Sequence, residues 1–591
     1  MAGEVKLPVL VEALPIGRYG GTTQHRGTLQ LPRSCKLELT PDTLCSVLPE
    51  GVFHGSLLRA QLGVLPEGIR ALAGEIRELT VRSTILSEVP AWLGELTRLE
   101  VLEIVGSDDS WDKNIVLKAL PTELGQMGTI KELVLGNLQG LEEVPDLSGL
   151  TSLIRLNIHT CTNIKSLPLS SRWQVGALQE LTLTDLSALE ELPDLSGLTS
   201  LNSLTIGRCG HEKKDGALTG LGRLGALKQL YLNGVRGLEE MLDPSGLTSL
   251  ISLTIRNCDT ETTALHGGFG QMGTLKELTL AFLDGLEELP DLSGLTALVS
   301  LMLDYCGKLK EMPGLDKLTS LESLKIRYCE IKALPAGLGQ LGALKLLSLY
   351  GAYELQQMPD ALGKMTALES LELVDCHKLR TLPASIRHLL RLRELAIDQS
   401  PLKDMPRIEA LTALHTLELV ITGDTHGSRV FKTLSRSLPC LHQLDNMRLV
   451  VYREHENGNG SFASPRTEDV LAIGRALRAW PLPLFNTVKD DHTNHGFRLG
   501  TCWRALGLPA AAAGWSNTTT LEFFRAQQHK VAAFASGTHA RLGAASRVLV
   551  LDEQTLVMIA DEVLGGWSLR KEWRQQEEEE EEEEEVLTSN E

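Results

Sequence analysis

Leu321-Glu-Ser-Leu324-Lys-Ile326-Arg-Tyr-Cys329 decides the fold, because its apolar spacing follows one rule and that rule recurs along the chain. Leu324 and Ile326 are two apart, so in a strand they share one face, while Ser323, Lys325 and Arg327 share the other. The pattern Leu-x-x-Leu-x-Leu/Ile starts fifteen times, at Ile76, Leu99, Ile130, Leu153, Leu178, Leu201, Leu227, Leu250, Leu275, Leu298, Leu321, Leu344, Leu368, Leu392 and Leu414. The steps are 22 to 26 residues, apart from one of 31 between Leu99 and Ile130. Behind the strand comes Leu334-Pro335 and a Gly-rich stretch, and proline there blocks strand or helix and suits a turn. One such unit cannot enclose its own leucines. Stacked units bury them between strand and return, in a core that grows lengthwise.

A period of this size lies inside the leucine-rich-repeat range of roughly 20–29 residues. The expected fold is therefore α/β: a leucine-rich-repeat solenoid, a horseshoe or arc with parallel strands on its concave face and short helical or 3₁₀ returns outside. Residues 1–75 are irregular and predict an N-terminal cap, which would shield the end of the leucine stack from self-association. Residues 76–424 are the solenoid. Residues 425–575 lose the period, gain tryptophans and predict a small, mostly helical C-terminal module, with helices at 519–536 and from Asp552 to Gly565. Residues 576–591 predict a disordered acidic tail.

Within the solenoid two repeat types alternate. One carries a corner cysteine. The other carries a Pro-Asp-Leu-Ser-Gly-Leu return at Pro145, Pro193 and Pro290, with a degraded copy at Asp243-Pro244-Ser245-Gly246-Leu247. The long step holds an insertion, Gly106 to Lys118, which reads as a tolerated bulge or a contact loop on one face.

Formal net charge is −19, and nine of those charges are the glutamate run Glu577 to Glu585, leaving −19 + 9 = −10 for the rest. That mild acidity lacks the basic face of a nucleic-acid or anionic-membrane binder. No secretory signal opens the chain and no apolar stretch approaches the roughly 18 residues of a membrane span, so the expectation is a soluble, cytoplasmic protein. Cys161, Cys209, Cys258, Cys306, Cys329 and Cys376 each fall three residues after the last apolar strand position. In alternate repeats they would stand about 10 Å apart at ~4.8 Å per strand, beyond disulfide reach; Cys306 and Cys329, in adjacent repeats, approach more closely. Reduced, packed thiols are expected.

Two segments carry a family resemblance: Cys376-His-Lys-Leu-Arg-Thr-Leu-Pro-Ala-Ser-Ile-Arg-His-Leu389 and Cys306-Gly-Lys-Leu-Lys-Glu-Met-Pro313. They resemble the repeat region of plant-type intracellular disease-resistance receptors, and the Leu-Pro-x-x-Ile/Leu return is similar to that of the Ras-pathway leucine-rich scaffold group. The resemblance covers roughly residues 65–424. It implies protein recognition in signalling or defence. No Gly-x-x-x-x-Gly-Lys-Ser/Thr occurs, so the nucleotide switch of the receptors is not implied, and no cofactor is expected.

The exposed strand positions are the candidate partner-binding surface. Thr182, Thr205, Thr254 and Thr279 dominate its centre, with Tyr231 and Arg256 among them. Further on come Asp304, Tyr305, Lys325, Arg327, Tyr328 and Tyr350. Tyrosine with arginine on a rigid wall is the composition of binding hot spots. The alternative is that the rings next to the corner cysteines merely pack as a ladder along the edge, and both readings stand at this point. Glu372, Glu394, Asp398 and Glu418 make the wall acidic toward its end, so a mixed-charge protein or peptide fits it better than a nucleic acid. Catalytic signatures fail: His211-Glu212 lacks a second histidine, Cys502 is followed by Trp503-Arg504, and Asp490-Asp491-His492-Thr-Asn-His495 reads as a solvated loop rather than a metal site. Leu551 to Leu564 is faintly similar to an F-box core helix, which keeps a ubiquitin-ligase substrate receptor as the alternative to a non-enzymatic scaffold.

Overall fold

The computed structural model describes residues 4–15, 23–32, 36–40, 58–83, 85–106, 116–167, 177–210, 221–235, 246–258, 263–265, 267–309, 312–422, 425–444, 446–454, 460–462, 485–489 and 495–499. They fall in two compact units, Met1–Leu298 and Val299–Glu591.

The first unit begins with β1 (Glu4–Pro15), β2 (Thr23–Pro32), β3 (Lys36–Leu39) and β4 (Leu58–Gln61). β1 pairs antiparallel with both β2 and β4, so the stretch expected to be irregular contains a small sheet. β3 already belongs to the repeat ladder: it pairs parallel with β5 (Glu78–Arg82), Leu37 opposite Leu79 and Leu39 opposite Val81. From there the strands follow the sequence period: β6 (Val101–Val105), β7 (Glu132–Gly136), β8 (Arg155–His159), β9 (Glu180–Thr184), β10 (Ser203–Gly207), β11 (Gln229–Asn233), β12 (Ser252–Arg256) and β13 (Glu277–Ala281). Every pairing is parallel and in phase; Leu204, Leu230, Leu253 and Leu278 form one rung line and Ile206, Leu232, Ile255 and Leu280 another.

The second unit continues the same grammar with β14 (Ser300–Asp304), β15 (Ser323–Arg327), β16 (Leu346–Tyr350), β17 (Ser370–Val374), β18 (Glu394–Leu402), β19 (Thr416–Thr422) and β20 (Asn446–Glu454). β19 and β20 pair parallel, so residues beyond 424 still add a rung, and β21 (Gly460–Phe462) and β23 (His495–Leu499) then pair antiparallel with β20, and β22 (Phe485–Lys489) with β23. An α-helix, α1 (Thr425–Ser437), lies between β19 and β20 and buries Val430, Phe431 and Leu434. The predicted helices at 519–536 and 552–565, the tail at 576–591 and most of the insertion at 106–118 lie outside the described residues.

The core is the leucine lattice of the sequence pattern. Leu324, Ile326, Leu338, Leu341 and Leu344 have no measurable exposure, and each fully buried apolar side chain stabilises by roughly 1.5–3 kcal/mol. The fold is the expected leucine-rich-repeat solenoid, and its returns are 3₁₀ turns. Pro90, Pro121, Pro335, Pro359 and Pro383 each cap one in extended conformation, because the proline φ suits that position and its missing N–H is not needed there. The Pro-Asp-Leu-Ser returns add a side-chain cap. Asp146 accepts from Ser148 N at 2.9 Å, Asp194 from Ser196 N at 2.9 Å and Asp291 from Ser293 N at 3.0 Å.

Candidate functional site

Each strand ends in a corner that fixes where side chains can project. The residue just past the strand has positive φ: Asn137, Thr160, Asp185, Arg208, Asn257, Phe282, Tyr305, Tyr328 and Asp375, with Gly234 and Gly351 at the same place. The next residue turns back into the core, and this is the cysteine slot. Cys161, Cys209, Cys258, Cys306, Cys329 and Cys376 are buried and free. Each donates its Sγ–H to the carbonyl two residues earlier, at 3.4, 3.5, 3.1, 3.6, 3.2 and 3.5 Å respectively. Ser400 does the same job in β18, donating to Asp398 O at 3.0 Å while accepting from Cys376 N at 2.7 Å.

Burial disfavours the thiolate and pushes Cys161 and Cys209 up to about 12 and Cys376 to about 11; Cys329 is also raised, chiefly by its hydrogen bond with Cys306. A thiol at about 12 is only about 10⁻⁴ ionised at pH 8. A short iodoacetamide pulse at pH 8 followed by peptide mapping should therefore label the half-buried Cys440 well before these corner thiols. Equal labelling would show that the corners open.

The six candidate residues of the second unit divide among three positions. Asp304, Arg327 and Tyr350 are the last residues of β14, β15 and β16 and stand in register, followed by Val374 and Asp398. Lys325 lies in the next row, between Met302 and Ser348. Tyr305 and Tyr328 are not strand residues but corner residues, with φ 51 and 49. The three tyrosines of successive repeats thus stand at two different positions, two at corners and one at a strand end. Gly351 takes the corner slot of the third repeat, and a Cβ there would meet the Tyr328 ring at 2.5 Å. Glycine makes room for that ring.

The result is an aromatic band along the sheet edge. Tyr305 and Tyr328 stack at 4.2 Å between centroids, and Tyr350 meets Tyr328 edge-on at 4.9 Å. Tyr353 lies 6.4 Å from Tyr328 and stacks on His377 at 5.7 Å. Tyr353 and His377 were not among the sequence candidates; each follows the inward-turning corner residue directly, which is the signal that could have found them. Tyr305 and Tyr353 remain 40% and 39% exposed. Hydrogen bonding with Tyr350, together with burial, holds the Tyr328 phenol above its ordinary value. Burial likewise raises the Asp375 carboxyl, opposed by His377, whose Nε2 is 3.2 Å from Asp375 Oδ1.

Tyr231 and Arg256 belong to the first unit. Tyr231 stands in register between Thr205 and Thr254, in the row that continues to Thr182 and Thr279. Arg256 lies over the Phe282 ring at 5.5 Å. The strand-face charges of this unit are mostly paired sideways: Arg155 with Glu180 at 2.9 Å and Glu132 at 3.5 Å, Arg82 with Glu103 at 3.0 Å. In the second unit Asp304, Lys325 and Arg327 form no ion pair among the described residues, although Asp304 and Arg327 are direct neighbours in the ladder. Asp304 is 8% exposed, its Oδ1 has no hydrogen-bond partner, and neither has Arg327 Nε. Among the described residues no cluster of three or more His, Cys, Asp or Glu is placed to hold a metal ion, and no helix is long and apolar enough to cross a membrane.

A family model described as a leucine-rich repeat region matches residues 280–484. No curated protein sequence matches the chain. Among solved structures, a leucine-rich-repeat protein of Leptospira interrogans is similar at 24% identity and TM-score 0.50, over 65% of this chain and 93% of that one. The functional domain of InlJ from Listeria monocytogenes, which includes a cysteine ladder, is similar at 17% identity and TM-score 0.41, over 75% and 87%. The plant peptide hormone receptor RGFR1, solved in complex with RGF2, is similar at 17% identity and TM-score 0.31, over 69% and 81%. The family match and the Leptospira structure agree with the ladder register on the fold, and no catalytic family is indicated.

Proposed function

We propose that this chain is a non-enzymatic recognition or scaffold protein of the cytoplasm, acting in signalling or defence, and that a protein or peptide docks on the strand face of its second unit. One observation carries the reading: a stacked tyrosine pair, Tyr305 exposed and Tyr328 half-buried, stands beside charges that the fold leaves unpaired. Tyr305 and Tyr328 directly follow Asp304 and Arg327 in the chain, two residues with unpartnered side-chain atoms. Aromatic and arginine anchors of this kind dominate binding energy at interfaces. The finer likeness to disease-resistance receptors and Ras-pathway scaffolds is supported by the Cys376–Leu389 repeat, and it brings recognition without a nucleotide switch. The ubiquitin-ligase alternative rests on residues 551–564, outside the described region, and no observation favours it.

The test is quantitative affinity purification with the full chain, comparing the natural protein with Tyr305→Ala/Tyr328→Ala. Losing a hot-spot anchor of at least about 2 kcal/mol corresponds to roughly thirtyfold weaker retention. Stacking of the pair contributes about 1 kcal/mol beyond the area the rings bury, and with Tyr305 exposed and Tyr328 half-buried the melting temperature should fall only modestly. A partner kept equally by both proteins, or a collapse in melting temperature, ends the reading.

A further inference from the structure

We infer that the end of the aromatic band, at Tyr353 and Asp375, receives a cationic side chain, an arginine or lysine of a peptide partner; this deepens the proposed function and rests on it. Tyr353 is 39% exposed, and its ring lies 6.4 Å from that of Tyr328 and 5.7 Å from that of His377. His377 Nε2 is 3.2 Å from Asp375 Oδ1, and the Asp375 side chain keeps 17% of its surface open to solvent. The Asp375 N–H donates to Asp398 O at 3.0 Å, which ties this corner to the next strand. Ring faces and a reachable carboxylate therefore meet at one accessible place.

The strands on either side give that place its sign. β17, β18 and β19 carry Glu372, Glu394, Asp398 and Glu418, and their sequences contain no lysine, arginine or histidine. Lys325 and Arg327 stand on β15. Counted from β17 they are two strands back, about 10 Å at ~4.8 Å per strand, beyond the screening length of about 8 Å in physiological salt. The face is thus basic at β15 and acidic from β17 onward, so a peptide crossing it is oriented with its basic side chain at the Tyr353 end.

Three acidic groups at this end hold their protons more tightly than usual. Hydrogen bonding with Tyr350 and burial raise Tyr328; burial and the Asp375 charge raise Tyr353; burial raises Asp375, with Asp398 adding and His377 opposing. Negative charge is disfavoured here because it is partly desolvated and crowded with its own kind. A cation relieves that crowding and gains from the rings as well, since a tyrosine face attracts an ammonium or guanidinium within about 6 Å of its centroid. A guanidinium can also stack on a ring while donating N–H to a carboxylate. An anion would be repelled by the carboxylates, and an apolar side chain would strip water from Asp375 without offering a donor.

The experiment passes capped heptapeptides, randomised over Ser, Ala, Leu and Tyr at the flanking positions, over the immobilised full-length protein at neutral pH and physiological ionic strength. The central residue is fixed as arginine, lysine, citrulline or glutamate; citrulline keeps the shape of arginine without its charge. The natural protein should retain the arginine and lysine sets about tenfold better than the citrulline set, with the glutamate set weakest. Asp375→Asn should remove most of that preference. Asparagine tolerates the positive φ of this corner, 60°, so the melting temperature should hold. Tyr353→Leu, at an exposed site, keeps apolar bulk without the ring face and should lower the preference several-fold; it carries the test if the corner substitution disturbs folding. The whole chain bears a net charge of −19, so diffuse attraction is checked with Glu585→Gln, which changes the charge equally within the glutamate run and should leave the preference intact. Equal retention of the arginine and citrulline sets, a preference that survives either site substitution, or an equal loss in Glu585→Gln overturns the inference while leaving peptide recognition standing. No retention of any set overturns both.

Discussion

Leu324→Asp should unfold the repeats around β15. Leu324 has no exposed surface, and its in-register neighbours Leu301 and Leu347 have none either. The substitution forfeits roughly 1.5–3 kcal/mol of apolar burial and places a carboxylate among leucines, where an unpaired charge costs several kcal/mol more. The sum exceeds about 5 kcal/mol, comparable to the whole stability of an ordinary domain. In a solenoid each repeat leans only on its neighbours, so the damage should be local first. Hydrogen exchange should lose protection in β14 to β16 before β19. Leu324→Ala, which leaves a cavity but no charge, should cost about 2–5 kcal/mol and keep the fold. Undiminished amide protection across β14 to β16 in the aspartate variant would mean that the strand pattern does not face a common core.

That leucine spacing was legible because it serves one purpose in every repeat. Leu-x-x-Leu-x-Leu fixes strand, register and inward face together, and the corner cysteine adds a small buried group at one slot. The corner residue before it was not legible. Asn, Thr, Asp, Arg, Phe, Tyr and Gly all occupy it, so no residue type marks the positive φ, and Tyr305 and Tyr328 were read alongside Tyr350 although they lie one residue beyond the strand. The thiol's hydrogen bond to the carbonyl two residues back can also be made by a hydroxyl, which is why Ser400 hid an equivalent corner. The antiparallel sheet of β1, β2 and β4 was missed because Pro8 and Pro15 argue against strand in a local reading, whereas β1 is held by pairing along its length to β2 and at its end to β4. The missing ion pair between Asp304 and Arg327 was beyond any sequence rule. Adjacent opposite charges predict pairing, and only the side-chain geometry leaves Oδ1 and Nε without partners.

The Pro-Asp-Leu-Ser-Gly return was seen as a repeated phrase, and the structure gives its last letter a reason that can be tested. A Cβ at Gly294 would stand against Gly270 O, and a Cβ at Gly270 would stand on Asp291 O. Gly246 with Gly222, and Gly149 with Gly125, repeat the contact between other successive returns. Neighbouring 3₁₀ turns therefore approach backbone to backbone, with nothing larger than hydrogen between them. Gly270→Val should force the return at 291–294 outward and break the cap in which Asp291 accepts from Ser293 N. Overpacking of this kind costs about 1–3 kcal/mol, and loss of the cap adds about 1 kcal/mol. Gly267 begins the same turn, yet a Cβ there meets nothing within 4 Å. Gly267→Val should accordingly fall within about 1 kcal/mol of the natural protein, since it carries only the β-branched penalty of an exposed site. Chemical denaturation of the two variants separates the explanations. A large loss for residue 270 alone means that tight contact between returns sets the repeat spacing. Equal losses at 267 and 270 mean that glycine serves this turn through its own backbone freedom, and the close approach is incidental.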